Sequence, residues 1–262
     1  MARTDTLGNF LTDVASAIKT KKGSQNTIQA SNFDTEIANL PSGVNLDDYI
    51  ESEITSSSSS APGWMTLIKK FPDDLQLDTE LTSAPYAFNY YINDIDFRDY
   101  TDFDTSNITD FSNFFSGYKG TELNISTFTF NTDSISNMFN TAQSLTKIVF
   151  PSSPTIICNN YYQAFLRCSV ITEIDLSNFE NNDTTNVNVS SMFQGCNALQ
   201  KIDIRNLVLK NLSTQLNYRN MLSSVPTNCL IIVKDNDNKS WFNTNFSSYT
   251  NVKTVAEYEN EN

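Results

Sequence analysis

The feature that most constrains this chain is a sequence pattern repeated between Ile108 and Leu207. A Phe is followed by an apolar triplet with a variable centre, nine residues later in three repeats, as in Phe193 before Ile202-Asp203-Ile204, and seven or eight residues later in the first two. The Phe anchors at positions 88, 115, 139, 165 and 193 are separated by 27, 24, 26 and 28 residues. Self-similarity at this period is typical of a solenoid, in which each unit buries its apolar face against the next.

Each repeat divides into two halves. In the triplet half, Ile174 and Leu176 point to one face and Asp175 to the other, as a short strand requires. The Phe half is polar around its anchor, which predicts one helical turn or a compact bend carrying a bulky side chain. Met and Phe at this spacing indicate core rather than a cofactor site. We therefore expect an α/β repeat solenoid with short parallel strands.

Composition excludes several function classes. The chain has 30 acidic and 17 basic residues, and its net charge of −13 repels nucleic acid and anionic lipid surfaces. It contains no His, which removes the commonest general base, the usual triad partner and the most frequent zinc ligand. No run reaches the ~18 apolar residues of a membrane span. We expect no enzymatic activity, no cofactor, and neither a nucleic-acid nor a membrane partner.

The four cysteines, Cys158, Cys168, Cys196 and Cys229, form no C-x-x-C pair, which argues against zinc-ribbon and thioredoxin-like sites. Cys168 and Cys196 each follow a Phe anchor by three residues and should lie on neighbouring coils. Met1–Asp5 lacks the apolar core of a signal peptide, so buried thiols are favoured over a disulfide. A bond between Cys168 and Cys196 stays open as the alternative.

The residues before the repeats predict a helical hairpin. Its apolar stripe is a candidate docking or oligomerisation face, made of Leu7, Phe10, Leu11, Val14, Ile18, Phe33 and Ile37. The alternative is that the hairpin caps the open end of the solenoid. We assign residues 1–43 to this module, 44–63 to an extended segment and Ser-rich linker, 64–228 to the solenoid and 229–262 to a C-terminal capping region. Residues 257–262 are expected to fray.

The outward positions of the strands are the candidate ligand face. If the repeats stack in register, this face is a ladder formed by Asp96, Asn124, Val149, Asp175 and Asp203. The alternative is that these polar residues only keep the sheet soluble and resist edge pairing. The stretch Asp235–Lys239 begins like a calcium loop, but Lys239, Ser240 and Phe246 stand where a ligand, the turn glycine and the bidentate Glu belong. It therefore predicts a polar turn and no metal site.

Three stretches resemble the repeat line of BspA-like leucine-rich-repeat proteins. They are Asp102–Phe115, Ile174–Phe179 with its Ile-Asp-Leu-Ser-Asn-Phe, and Ser190–Leu199 with its Met-Phe-x-Gly-Cys. The resemblance covers about residues 64–255. It implies a leucine-rich-repeat solenoid with a binding role and no catalysis. The chain departs from the pattern at Tyr118–Gly120 and at Pro151–Asn160, which puts a uniform strand register in doubt there.

Residues Leu7–Leu40 resemble the short N-terminal module of tail-associated proteins in phages of low-GC bacteria. In that group a helical docking module precedes a variable display domain. The resemblance implies a non-enzymatic structural and binding protein of a tailed-phage virion, associated with the tail, baseplate or fibre and assembled in the bacterial cytoplasm. Its expected partners are other tail proteins, copies of itself in a homo-oligomer, and a glycan or protein of the host surface. The alternative is a bacterial cell-surface adhesin of the BspA-like type.

Overall fold

The structure, a computed structural model, describes residues 53–54, 75–77, 79–183 and 186–261. These residues form a solenoid in which short strands of successive coils pair in parallel. The repeat solenoid predicted from the Phe spacing is therefore confirmed. The predicted helical hairpin, with its whole candidate docking face, lies outside the described residues.

Eleven strands, each of two to four residues, are described. They are β1 (Glu53–Ile54), β2 (Gln76–Leu77), β3 (Ile95–Asp96), β4 (Glu122–Asn124), β5 (Lys147–Val149), β6 (Ile156–Ile157), β7 (Glu173–Asp175), β8 (Phe179–Glu180), β9 (Lys201–Asp203), β10 (Leu230–Val233) and β11 (Val252–Thr254). The sheets run β1-β2, β3-β4-β5, β6-β8 and β7-β9-β10-β11. Parallel pairing thus begins at β1, inside the segment expected to be extended.

The strand register interrupts at the insertion where the sequence departs from the repeat. The described pairings of the main strands stop at β5 and resume at β7, and β6 pairs with β8 on another side of the coil. Pro151 and Pro154 lie in this interval and have no N–H to donate to a ladder. The doubt about register over Pro151–Asn160 is confirmed.

The Phe anchors form one continuous column inside the solenoid. Neighbouring rings have centroids 5.2 to 5.7 Å apart, and all of the five rings are fully buried. The column runs through Phe88, Phe115, Phe139, Phe165 and Phe193. Because offset parallel rings at this spacing attract each other beyond the burial of their area, each coil is aligned on the next.

The halves that carry the anchors are chains of tight turns, so the alternative of a helical turn is wrong and the compact bend is confirmed. The backbone φ is positive at the residue two positions before each anchor and at the residue two positions after it. In the last coil, Leu222 takes the place of the Phe anchor. These residues are Tyr86, Tyr90, Asn113, Gly117, Asn137, Thr141, Gln163, Arg167, Ser191, Gly195, Asn220 and Ser224. Each such residue stands third in a turn closed by an i to i+3 hydrogen bond, as in type II turns.

Backbone hydrogen bonds tie each chain of turns to the next coil. The N–H groups of Asn137, Phe139 and Thr141 donate to the carbonyls of Tyr162, Ala164 and Leu166 at 2.9, 2.8 and 2.7 Å. The same three-bond pattern joins the preceding and following coils. The residues with positive φ orient these N–H groups along the solenoid axis. Backbone groups that water would solvate in an ordinary loop are therefore hydrogen-bonded to the next coil.

Helix is confined to the end of the described chain and to two short 3-10 turns, Phe97–Asp99 and Gln215–Asn217. The α/β description is corrected accordingly: the described coils are β strands and turns. Helix α1 (Asn236–Asn245) starts where a polar turn was predicted, because Asp235 accepts the Asn238 N–H at 2.9 Å as an N-cap. Helix α2 (Val255–Glu259) replaces the fraying expected from Glu257 onward, since Thr254 and Glu257 form a capping box.

Candidate functional site

The five residues of the predicted ligand face lie in register, but in two sheets. Asp96 pairs with Asn124 and Asn124 with Val149, while Asp175 pairs with Asp203. Asp175 is exposed, and the first three are half-buried. Asp203 is 2% exposed, which corrects its expected position on an open surface.

Each polar side chain of this ladder bonds to its own backbone. A side-chain oxygen accepts the N–H two residues later at 3.0 Å in Asp96 and Asn124, 2.8 Å in Asp175 and 3.2 Å in Asp203. This is an Asx turn, which bends the chain out of the strand. The repeated Asp or Asn therefore has a structural role at the strand exit, whether or not it also binds a ligand.

Two arginines hold the ends of the ladder. Arg98 donates to both carboxylate oxygens of Asp96 at 2.5 to 3.1 Å, and the Asn124 amide adds a bond at 3.3 Å. The hydrogen bond from the Arg98 side chain lowers the pKa of Asp96 below its usual value. A carboxylate already bonded in this way has fewer acceptor positions left for a ligand.

Asp203 is covered by its own arginine and by the last helix. Arg205 donates to its two carboxylate oxygens at 2.7 to 3.1 Å and reaches Glu259 of α2 at 3.2 Å. The side chain of Lys201 lies over the Tyr258 ring, with Nζ 5.4 Å from the centroid. The open part of the ladder therefore runs from Asp96 to Asp175.

The charged residues beside the ladder form ion pairs between coils. Lys201 bonds Glu173 at 2.7 Å, and Lys147 lies 3.5 Å from Glu122. Exposed pairs of this kind contribute at most about 1 kcal/mol each. These ion pairs place opposite charges next to each other on neighbouring coils and add little to the stability of the solenoid.

The four cysteines are buried free thiols rather than a disulfide pair. Cys168 donates to the Phe139 carbonyl at 3.1 Å and Cys196 to the Phe165 carbonyl at 3.0 Å, so each thiol bonds to the preceding coil. Burial raises the pKa of Cys196 to about 12. A thiol so far from ionisation is a weak nucleophile and metal ligand.

A cleft of about 460 Å³ lies where the strand register is interrupted. Its lining includes Phe128, Phe130, Pro154, Ile156 and Ile157. Sequence reasoning did not predict this cleft. The two prolines of the insertion were the available signal, because they prevent the strand at Ile156 from continuing the neighbouring ladder.

In the part of the chain that the structure describes, no group of three or more Asp, Glu or Cys is placed to hold a metal ion. Nor does any helix among the described residues have the length and apolarity needed to cross a membrane. Comparison of the chain with protein-family models, with curated proteins and with solved structures gives no match in any of the three.

Proposed function

We propose that this chain is a non-enzymatic binding protein of a tailed-phage virion, attached through its N-terminal residues 1–43 and displaying the solenoid outward. Its use is recognition of a host surface, and its partners are other tail proteins and copies of itself. The virion assignment rests on the resemblance of Leu7–Leu40 to tail-associated modules.

The observation that best supports a display role is the filled interior of the solenoid. The column from Phe88 to Phe193 fills the interior, so most polar side chains of the coils lie on the outside. A stack of coils held by backbone ladders tolerates changes in those outer residues without loss of fold. Such a scaffold suits recognition, in which the surface must vary while the framework stays constant.

We further infer that the solenoid is of the leucine-rich-repeat type. The Asn of the Ile-Asp-Leu-Ser-Asn line bonds the preceding coil: Asn178 donates to the Pro151 carbonyl at 3.0 Å. At the equivalent place in the next coil, Asn206 donates to the Ser177 carbonyl at 2.6 Å. An asparagine ladder at the strand exit supports this repeat class.

The second candidate is a bacterial surface adhesin of the BspA-like type. It is favoured by the repeat lines at Asp102–Phe115 and Ser190–Leu199, which resemble that family independently of the N-terminal module. The two candidates predict different locations: an adhesin is found in the cell envelope, whereas a tail protein is found in purified particles.

Deletion of residues 1–43 tests the attachment role. We expect a folded remainder, by circular dichroism, that no longer enters particles and no longer self-associates in analytical ultracentrifugation. Mass spectrometry of purified particles made with the intact chain supplies the positive control. Unchanged incorporation of the shortened chain would contradict the proposal.

A further inference from the structure

The outward side of the anchor-bearing turns forms a surface distinct from the strand ladder. We call it the turn face, and it is made by the exposed side chains of residues 84–91, 111–118, 135–142, 161–168, 189–196 and 218–225. None of these segments contains Asp or Glu, although the chain has 30 acidic residues. Their charged residues are Arg167 and Arg219; Lys119 directly follows the second segment, and Asp110, whose side chain accepts the Ser112 N–H, directly precedes it.

Backbone geometry does not explain why carboxylates are missing from the turn face. Asn113, Asn137 and Asn220 occupy positions with φ of 56 to 59°. Asp adopts this left-handed conformation almost as readily as Asn. An acid would therefore fit at these three positions, and the absence of carboxylates gives this surface a charge different from that of the rest of the chain.

Two side chains of the turn face lie against a glycine of the next coil. Tyr90 covers Gly117 of the next coil so closely that a Cβ at Gly117 would fall against its ring. Arg167 lies beside Gly195 less closely, with its Cγ 3.1 Å and its Cα 3.4 Å from where a Cβ would stand. Tyr90 nevertheless keeps 49% of its surface exposed. Because each glycine lacks a Cβ, the side chain of the preceding coil can pack directly against it in the absence of a ligand.

Cationic groups accompany these two platforms. Lys119 places its Nζ 5.6 Å from the centroid of the Tyr90 ring, and Arg167 carries its own guanidinium. The platforms are three coils apart, a separation of about 14 Å at the usual spacing of neighbouring strands. Two coils lie between them, and Asn137, Asn140 and Thr141 belong to the second of these.

We propose that the turn face binds a linear acidic glycan, that is, a polyhydroxylated polymer bearing carboxylate or phosphate groups. The inference rests on the proposed recognition function and names its surface and ligand class. A sugar ring stacks on Tyr90, the accessible polar side chains of the two intervening coils bond hydroxyl groups, and Lys119 and Arg167 bind the anionic groups. Flat side chains held before binding lose little conformational entropy when the polymer docks.

The strand ladder is a poorer match for the same ligand. Asp175 presents an exposed carboxylate that repels an acidic polymer, and the cations Arg98 and Lys201 beside the ladder are already paired with Asp96 and Glu173. At physiological salt the charges of that side are screened within about 8 Å, so they do not prevent binding on the turn face.

The purified full-length chain is tested on a printed panel of neutral, carboxylated and phosphorylated oligosaccharides, and hits are measured by calorimetry at two salt concentrations. We expect binding to acidic members that weakens as salt rises. Tyr90→Ala and Arg167→Gln should each weaken binding roughly tenfold, a change of about 1.4 kcal/mol. Tyr90→Phe should retain binding, since it keeps the ring, and Asp175→Asn on the strand ladder is the matched control that leaves affinity unchanged or slightly raised.

Absence of binding to every acidic member, or binding to neutral glycans alone, overturns the inference. So does acidic binding that survives in the folded Tyr90→Ala and Arg167→Gln variants but falls on substitution of the ladder. The carboxylated and phosphorylated arms distinguish the two sources of negative charge. If particles containing the chain adsorb to cells while the panel is negative, the glycan inference fails and the virion proposal stands. If the chain binds the acidic glycans but is absent from purified particles, the virion proposal fails and the glycan inference stands.

Discussion

The rings of Phe139 and Phe165 lie 5.2 Å apart with their planes 13° from parallel, although 26 residues separate them in the chain. The Phe139 N–H donates to the Ala164 carbonyl at 2.8 Å, next to this contact. Side chain and backbone thus fix the same one-coil step. A change at one anchor should be felt by both neighbouring coils.

Phe165→Ala should lower the free energy of unfolding by about 3–5 kcal/mol, because it opens a ring-sized cavity in a column with contacts above and below. Urea denaturation followed by circular dichroism measures the change. Tyr162→Ala, three residues away and 38% exposed, is the control and should cost far less. Equal losses in the two variants would show that the column is not the core.

Gly117→Ala should destabilise the protein for two reasons: φ is +68° at this position, and the new methyl group meets the Tyr90 ring. The left-handed conformation alone costs about 1–2 kcal/mol for a residue with a Cβ. Combining Gly117→Ala with Tyr90→Ala should restore the part due to the clash. Thermal unfolding of the two single variants and the double variant measures this coupling, and strictly additive effects would argue against the flat packing of Tyr90.

Asp203→Ala should cost about 2–4 kcal/mol, since it removes a buried acceptor and leaves Arg205 with Glu259 as its remaining ion-pair partner. Asp175→Ala removes the same Asx turn from an exposed position and should cost less than about 1 kcal/mol. Chemical denaturation measures the loss of unfolding free energy in each variant and so compares a buried with an exposed Asp at equivalent repeat positions. A larger loss for Asp175 would be incompatible with the cover that Arg205 and α2 provide.

All four cysteines should resist alkylation in the folded protein. Burial keeps the thiols protonated and out of contact with reagent. Mass spectrometry after iodoacetamide at neutral pH should show no adducts without denaturant and four adducts in urea. Fewer than four adducts in urea without reductant would indicate a disulfide.

Stability should fall as pH rises from about 9 towards 12. The thiol pKa of Cys196 is raised from 9.0 to about 12 in the folded chain, so the unfolded state loses its proton first and is favoured in this window. Cys158 and Cys229 have the same upward shift. Below pH 9 all the thiols are protonated in both states and add no slope. Denaturation midpoints across this range, compared with those of Cys196→Ala, should show a shallower decline in the variant.

The interior of the solenoid was predictable because its signals are local. A Phe every 24 to 28 residues and an aliphatic pair that begins seven to nine residues later describe the buried positions of each coil without knowledge of any other coil. The capping box at Thr254 and Glu257 was also visible in the sequence as a Thr-x-x-Glu pattern, yet the expectation of a frayed end overlooked it. The positive φ at Gln163 and Arg167 had no such signal, since neither residue type favours that conformation.

The sequence by itself determined the coil period, the column of anchors and the alternation of each strand, because these depend on residue size and spacing that recur along the chain. Only the tertiary structure decided which outward residues stay accessible. Asp175 and Asp203 occupy equivalent repeat positions, but Asp203 is 2% exposed and is bonded by Arg205, which also pairs with Glu259 in a helix that begins about fifty residues later. Burial of a surface residue depends on where distant chain returns, and no local pattern contains that information.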